Sequence, residues 1–305
     1  GISFYTFQAI SYTVDVYKER FPKTTGLLEY SFYLTFFPLL IAGPITRAKI
    51  LIPQIDAPQP NNKQLINTGL WLIICGLLKK ALVADYLAQY NNWIFADPLA
   101  YTGFENLMGV LGFTLQIYCD FSGYSDMAIG IAALMGFQLP NNFNSPYQSL
   151  NLTEFWHRWH ITLSQWFRDY VYIPLGGNRK GELKTYRNTF ITMIVAGLWH
   201  GASGMFVLWG ILHGIGLTIH KFARNRGLNK VPDTIYVKIF CWTITFAYVS
   251  VAWIFFRSYD VHTAFSIIGK IFTDLHFVDF QNFINARLLW IMLLTVSLEL
   301  HSIRQ

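Results

Sequence analysis

The sequence predicts an all-α fold, a multi-span membrane helical bundle with re-entrant segments. Three observations predict it. Of 305 residues, 53% are hydrophobic and 13% are charged, against about 25% charged in soluble domains. The charges cluster between long apolar blocks instead of being spread through them. Those blocks also lack the period-2 alternation that a membrane barrel requires, so backbone groups in lipid have to be paired within helices.

The formal net charge is +6 and the pI about 9.1. Lys79 and Lys80 close one apolar block. Arg179, Lys180, Lys184 and Arg187 fill one loop, and Lys221, Arg224, Arg226 and Lys230 fill the next. Short basic loops between spans favour the cytoplasmic side. The excess therefore reads as membrane topology, with the lipid bilayer as surroundings and no nucleic-acid partner. Cys75, Cys119 and Cys241 each sit inside an apolar block without metal spacing, so they read as small hydrophobes and no metal is expected.

In chain order, the first block ends near Phe21, with Asp15, Lys18, Glu19 and Arg20 marking an interface. Leu27 to Gly43 is short for a span of about 20 residues and reads as tilted or re-entrant, stopping at GPITR. Leu65 to Leu78 is a clearer span. Asp97-Pro98 breaks the mixed stretch 85–100. The block from Phe104 to Phe137 is long enough for one span and part of a second. It carries Asp120 and Asp126, and intramembrane carboxylates mark functional sites by default. Glycines at 109, 112, 123, 130 and 136 permit close helix packing. Residues 138–150 read as a loop, from Pro140, an Asn-Asn pair and Pro146. A helix is expected over Asn151–Tyr172, with Thr153 as a cap for an inner start and Pro174 and Gly176-Gly177 ending it. Thr189–Trp199, Phe206–Ile219, Ile235–Phe256 and Leu288–Leu298 complete the series as one domain over 1–305. The opening GISFYTFQAISYTVDVY lacks an initiator Met or a leader pattern, and the chain is expected to lack N-terminal spans.

Two stretches carry chemistry. In NLTEFWHRWHITLSQWFRDY, a continuous helix at 100° per residue puts Glu154, His157, His160, Ser164 and Arg168 on one face, opposite Phe155, Trp156, Trp159, Leu163, Trp166 and Phe167. Such a helix either lies at the interface on its tryptophans or lines a polar cavity inside a bundle. His157, Ser164, Arg168, Asp120 and Asp126 are the substrate-channel candidates. In NTFITMIVAGLWHGASGMFVLWGILHG, basic flanks on both sides predict a segment that enters and returns. From Arg187 to His200 a helix rises about 20 Å, some two-thirds of a hydrocarbon core. Glycines at 197, 201 and 204 allow the turn. An imidazole placed there can take and return a proton near neutral pH. His213 reads as packing. The absence of a GxSxG elbow, a Walker sequence and clustered His boxes excludes a serine hydrolase, an ATP-driven pump and a di-iron oxygenase.

Five stretches together resemble the membrane-bound O-acyltransferase superfamily. They are GISFYTFQAISYTVDVY, FFPLLIAGPITR, YCDFSGYSDMAIG, LPNNFNSPYQSLNLTEFWHRWHITLSQWFRDYVYIPLGG and AGLWHGAS with its trailing WG. They cover most of residues 1–213 and are most similar to the bacterial branch of alginate and peptidoglycan O-acetylation and D-alanyl transfer proteins. The resemblance implies a helical bundle around a central funnel in the bacterial cytoplasmic (inner) membrane. It makes His200 the principal catalytic histidine, as base or acyl relay, and His160 the second, orienting the thioester or, if protonated, stabilising the oxyanion. Thr162 stands where serine is common, which retains a hydroxyl. Acetyl-CoA is the donor so implied, used as a substrate and not as a resident cofactor. The acetyl group would cross to an extracytoplasmic acetyltransferase or SGNH-type partner that modifies a polysaccharide. Arg168 or Arg179 would meet the donor's phosphates. The competing readings are a non-catalytic channel, a scaffold for a periplasmic transferase, and D-alanyl transfer from a carrier protein.

Overall fold

A computed structural model describes residues 2–21, 26–57, 62–228 and 234–275, with Met292, Thr295 and Glu299. The rest of the expected Leu288–Leu298 block lies outside the described residues. Among the described residues every regular element is helical and there is no sheet. The helices are α1 (Ile2–Tyr17), α2 (Leu27–Thr35), α3 (Ala48–Asp56), α4 (Lys63–Leu77), α5 (Asp85–Ala96), α6 (Gly103–Leu134), α7 (Leu152–Arg158), α8 (Ile161–Phe167), α9 (Glu182–His200), α10 (Gly204–Asn225), α11 (Ile235–Arg257) and α12 (Val261–Thr273). Two of them, α10 and α11, are long and apolar enough to cross a membrane. The nine-residue α2 rises only about 13 Å, so the block from Leu27 to Gly43 is not one continuous helix.

The block from 104 to 137 is one helix and not a span with part of a second. Thr102 starts α6 with a reciprocal cap: its hydroxyl accepts the Glu105 N–H and the Glu105 carboxylate accepts the Thr102 N–H. The helix then runs 32 residues, about 48 Å. Nor do Lys79 and Lys80 close the preceding block. A π segment, Leu78–Ala84, carries α4 straight on into α5.

The long α6 and α4 share a seam of glycines spaced two turns apart on each helix. A Cβ on Gly123 would stand 2.7 Å from the Gly76 carbonyl oxygen, and one on Gly76 2.5 Å from that of Gly123. Gly69 and Gly130 oppose each other in the same way, at 2.8 and 2.5 Å. The obstacle is backbone, which cannot swing aside as a side-chain tip can. Gly123→Val is therefore expected to lower stability by about 1–3 kcal/mol, read as the shift in denaturation midpoint in detergent. A midpoint equal to wild type would mean the helices separate freely.

The helix expected over Asn151–Tyr172 is not continuous. Its N-cap is Asn151, whose side chain accepts the Glu154 N–H, not Thr153, whose hydroxyl pairs with His220 Nδ1 at 2.8 Å. The helix stops at Arg158, and His160 adopts a left-handed conformation (φ 41°) before α8 begins. A π turn, Arg168–Tyr172, follows. The break is possible because the 138–150 loop supplies partners for the freed backbone groups. Asn144 N–H donates to the Arg158 carbonyl (3.0 Å) and Ile161 N–H to the Asn142 carbonyl (2.9 Å). Nor does this segment rest on a membrane surface by its tryptophans. Phe155, Trp159, Leu163, Trp166 and Phe167 are all buried in the protein, Phe155 and Trp159 in one core cluster with Trp209 and Trp253.

The expected hairpin is present as α9 and α10. Gly201 follows His200 at φ 155°, an angle open to glycine. Ser203 then caps α10 by accepting the Met205 N–H. Gly197 and Gly210 let the two arms meet backbone to backbone: a Cβ on either would lie 2.3–2.4 Å from a carbonyl oxygen of the other arm. At the far end of α11, Asp260 caps α12 through the Thr263 N–H (2.8 Å). That hydrogen bond holds its carboxyl below the usual range.

Candidate functional site

The break in α7–α8 and the tip of the α9–α10 hairpin border one cavity of about 550 Å³. It extends along α9 from Thr189 to His200, about 17 Å. Its walls are mostly apolar and aromatic, with Phe121, Trp156, Trp159, Met193, Trp209 and Trp253 among them. His160 and His200 both line it, as do His157, Ser164 and Arg168. The volume and the few polar groups in an apolar wall suit a ligand site.

His200 ends α9 with its ring against Trp199 (4.7 Å between centroids), Phe256 (4.9 Å), Trp209 (5.2 Å) and Phe206 (5.9 Å). Neither ring nitrogen has a hydrogen-bond partner among the described residues, so aromatic packing alone holds the imidazole and both nitrogens are available to a substrate. His160 is held differently. It is 2% exposed, ringed by Phe121 (4.5 Å), Phe4 (6.3 Å), Phe143 (6.4 Å) and Trp199 (6.4 Å). Its Nδ1 lies 3.0 Å from Asn142 Oδ1, and its Nε2 is a buried atom with no partner. Trp199 packs on both histidines and thus joins the two halves of the site.

The remaining polar groups divide between the ends of the cavity. Ser164 donates to the Trp159 carbonyl (3.2 Å). Arg168 is exposed and pairs with Asp169 (2.8 Å), and His157 is exposed at the rim. Lys221, Tyr172 and Thr189 stand at the end away from His200. Lys221 Nζ donates to Thr189 Oγ1 (2.6 Å) and lies 4.8 Å from the Tyr172 ring centroid, with no carboxylate partner among the described residues. This cation was not among the expected site residues, because in sequence it reads only as loop charge. Arg179 is not a lining residue. Asn142 was missed as well: its Asn-Asn pair carries turn chemistry, and nothing in it signals a partner on α8.

Asp120 and Asp126, the two carboxylates expected along a channel, are both paired with lysines. Asp126 lies 3.0 Å from the Lys79 ammonium, both side chains largely buried, and lines neither cavity. Asp120 pairs with Lys80 (2.6 Å), which also meets Asp85 (2.7 Å). The two consecutive lysines of the π segment thus neutralise Asp120 and Asp126 of α6. Asp120 does border a second cavity of about 700 Å³, with Asn92, Ser203, Phe206, Arg257 and Tyr259. Ile117 and Phe256 are common to both cavities. His213 is fully buried outside the first cavity. It accepts the Trp156 indole N–H (3.2 Å) and stacks on Phe155, which is the packing role expected.

Known proteins resemble this chain in sequence. A family model described as the membrane-bound O-acyltransferase family matches residues 5–259. The chain is 44% identical over 274 residues to the probable alginate O-acetylase AlgI of Pseudomonas putida, covering 90% of this chain and 55% of that protein. It is 39% identical over 296 residues to the peptidoglycan O-acetyltransferase of Helicobacter pylori, covering 88% and 55%. A teichoic acid D-alanyltransferase of Bacillus subtilis is 27% identical over 276 residues, covering 86% and 69%. The chain spans about half the length of the two acetylation relatives.

Proposed function

The chain belongs to the membrane-bound O-acyltransferase family, and from that membership we propose that the full-length protein moves an acetyl group from cytoplasmic acetyl-CoA across the bacterial inner membrane for O-acetylation of an extracytoplasmic polysaccharide. One observation carries the reading: two histidines share the wall of a single apolar cavity whose opposite end bears Lys221, Tyr172 and Thr189. A thioester on a phosphorylated arm has that same polarity, with an anion at one end and a reactive carbonyl at the other. Lys221 and Arg168 meet the phosphates, the apolar wall takes the arm, and the carbonyl reaches His200. The acceptor enters from the second cavity, past Phe256 and Ile117, so the two cavities form the funnel of a multi-span bundle. An extracytoplasmic acetyltransferase or SGNH-type protein is the partner on that side.

In the transfer the acceptor hydroxyl oxygen forms a bond to the acyl carbon as the C–S bond breaks. The hydroxyl proton goes to an imidazole, and the thiolate leaves with the bonding pair and is protonated. An enclosed site with water excluded limits loss of the acyl group to hydrolysis. The test uses purified full-length protein in lipid vesicles with radiolabelled acetyl-CoA outside or inside. Release of free CoA with label recovered on an acceptor or partner is the expected result. Label taken only from a D-alanyl carrier protein would reassign the donor, and label crossing unchanged in the absence of CoA release would make the protein a channel.

A further inference from the structure

Asn142 is 1% exposed and makes more contacts than a turn residue needs. Its Oδ1 accepts the Thr162 N–H (3.3 Å) and the Thr162 hydroxyl (2.9 Å), and its Nδ2 donates to Ser125 Oγ (3.2 Å). The Thr162 hydroxyl in turn accepts the Ile45 N–H (2.9 Å), so its own hydrogen is committed to Asn142. A backbone N–H can only donate, so the Asn142 atom facing Thr162 has to be the oxygen. The same oxygen faces His160 Nδ1 at 3.0 Å. An oxygen there cannot donate, so Nδ1 has to carry a hydrogen. Enclosure by four aromatic rings disfavours a second proton on the ring. The Nε2 lone pair is then left without a partner, on a residue that lines the cavity.

We propose that Asn142 is a positioning residue that fixes His160 in the Nδ1–H tautomer, so that His160 Nε2 is the atom that takes the acceptor's proton. This rests on the acyl-transfer reading and divides the labour within it. The hydroxyl proton passes to His160 Nε2 as the new C–O bond forms. The His160 imidazolium passes that proton to neutral His200, whose nitrogens carry no competing hydrogen bond, and the His200 imidazolium delivers it to the departing thiolate, so both rings are neutral again before the next turnover. A His160 fixed in this way cannot serve as the oxyanion donor in its neutral form.

Three variants of the full-length protein test the assignment. Asn142→Leu removes the acceptor for Nδ1–H and is expected to lower kcat by about 10²-fold with little change in KM for acetyl-CoA. Asn142→Asp keeps an oxygen at that position and is expected to retain activity. Its carboxylate favours the imidazolium and should move the acidic limb of the pH–rate profile upward by about one pH unit. The titratable side chains that share the cavity are His157, Arg168, Tyr172, His200 and Lys221, and they are unchanged in the series. Ser125→Ala loses only the anchor of Nδ2 and should stay close to wild type. Nitrogen-15 spectra of histidine-labelled resting protein read the tautomer directly and do not depend on turnover. An Nε2–H tautomer at His160 overturns the proposal. So does an Asn142→Asp protein that is folded but as impaired as Asn142→Leu, with its pH profile unmoved. A wild-type protein that shows the tautomer but no thioester turnover would instead remove the acyl-transfer reading.

Discussion

His200→Ala is expected to reduce acyl transfer from acetyl-CoA by about 10²–10⁴-fold, the range that one positioned acid–base group contributes. The ring stands where the hairpin turns, free of hydrogen bonds among the described residues and packed on Trp199, Trp209, Phe206 and Phe256. A side chain with no structural hydrogen bond can be removed without stranding a partner, so the loss should fall on kcat more than on the denaturation midpoint. Two measurements separate these outcomes: initial rates of CoA release with saturating donor, and the midpoint in detergent. His200→Gln keeps most of the volume and a polar end but cannot shuttle a proton, and it should be nearly as inactive. If either variant keeps more than about a tenth of the wild-type rate, less than 1.4 kcal/mol of barrier lowering remains to assign to the imidazole, and the histidine mechanism fails.

The second large effect is on stability. Asp126→Ala leaves the Lys79 ammonium, whose side chain is 11% exposed, between the π segment and α6 without its carboxylate at 3.0 Å, with Glu299 as the other acidic group that acts on it. Removing one member of a buried pair costs about 3–5 kcal/mol, because the desolvation already incurred is no longer offset. Lys79 also lies 5.6 Å from the Tyr118 ring centroid, an attraction too weak to replace a carboxylate at 3.0 Å. The double variant Lys79→Met/Asp126→Leu removes both charges and fills similar volume, so most of the stability should return. Denaturation midpoints of the wild type, both single variants and the double variant complete the cycle. Equal midpoints for Asp126→Ala and the double variant would show that the ammonium is solvated and that the pair does little.

Both predictions concern groups that the sequence singled out, on different kinds of signal. His200 was legible because basic loops on both sides, a rise of about 20 Å and clustered glycines are all local properties of one segment. The hairpin of α9 and α10 follows from them. Asp126 was legible only as a charge inside an apolar block. Whether such a charge serves a channel or a helix seam depends on what faces it, and Lys79 faces it from another helix. The π segment that aims Lys79 and Lys80 at α6 leaves no mark in the hydropathy of Leu65–Leu78, so the block appeared to end there.

Residue pattern alone sets the all-α class of the fold and marks the segments that border the candidate cavity. Apolar blocks without alternation permit only helices in lipid, whatever their neighbours, since each backbone group must be satisfied within its own segment. The glycine spacing on α6 likewise marked a close contact, although it did not name α4 as the partner. The candidate cavity itself depends on contacts between segments. A helical wheel over Asn151–Tyr172 assumes unbroken hydrogen bonding from turn to turn. The chain abandons it at His160, because Asn142 and Asn144 in the preceding loop offer the freed backbone groups and the imidazole better partners. Local propensity cannot register such an offer. Only when the loop folds back does the cost of the left-handed residue become smaller than the gain from three well-placed hydrogen bonds, and only then do His160 and His200 border the same cavity.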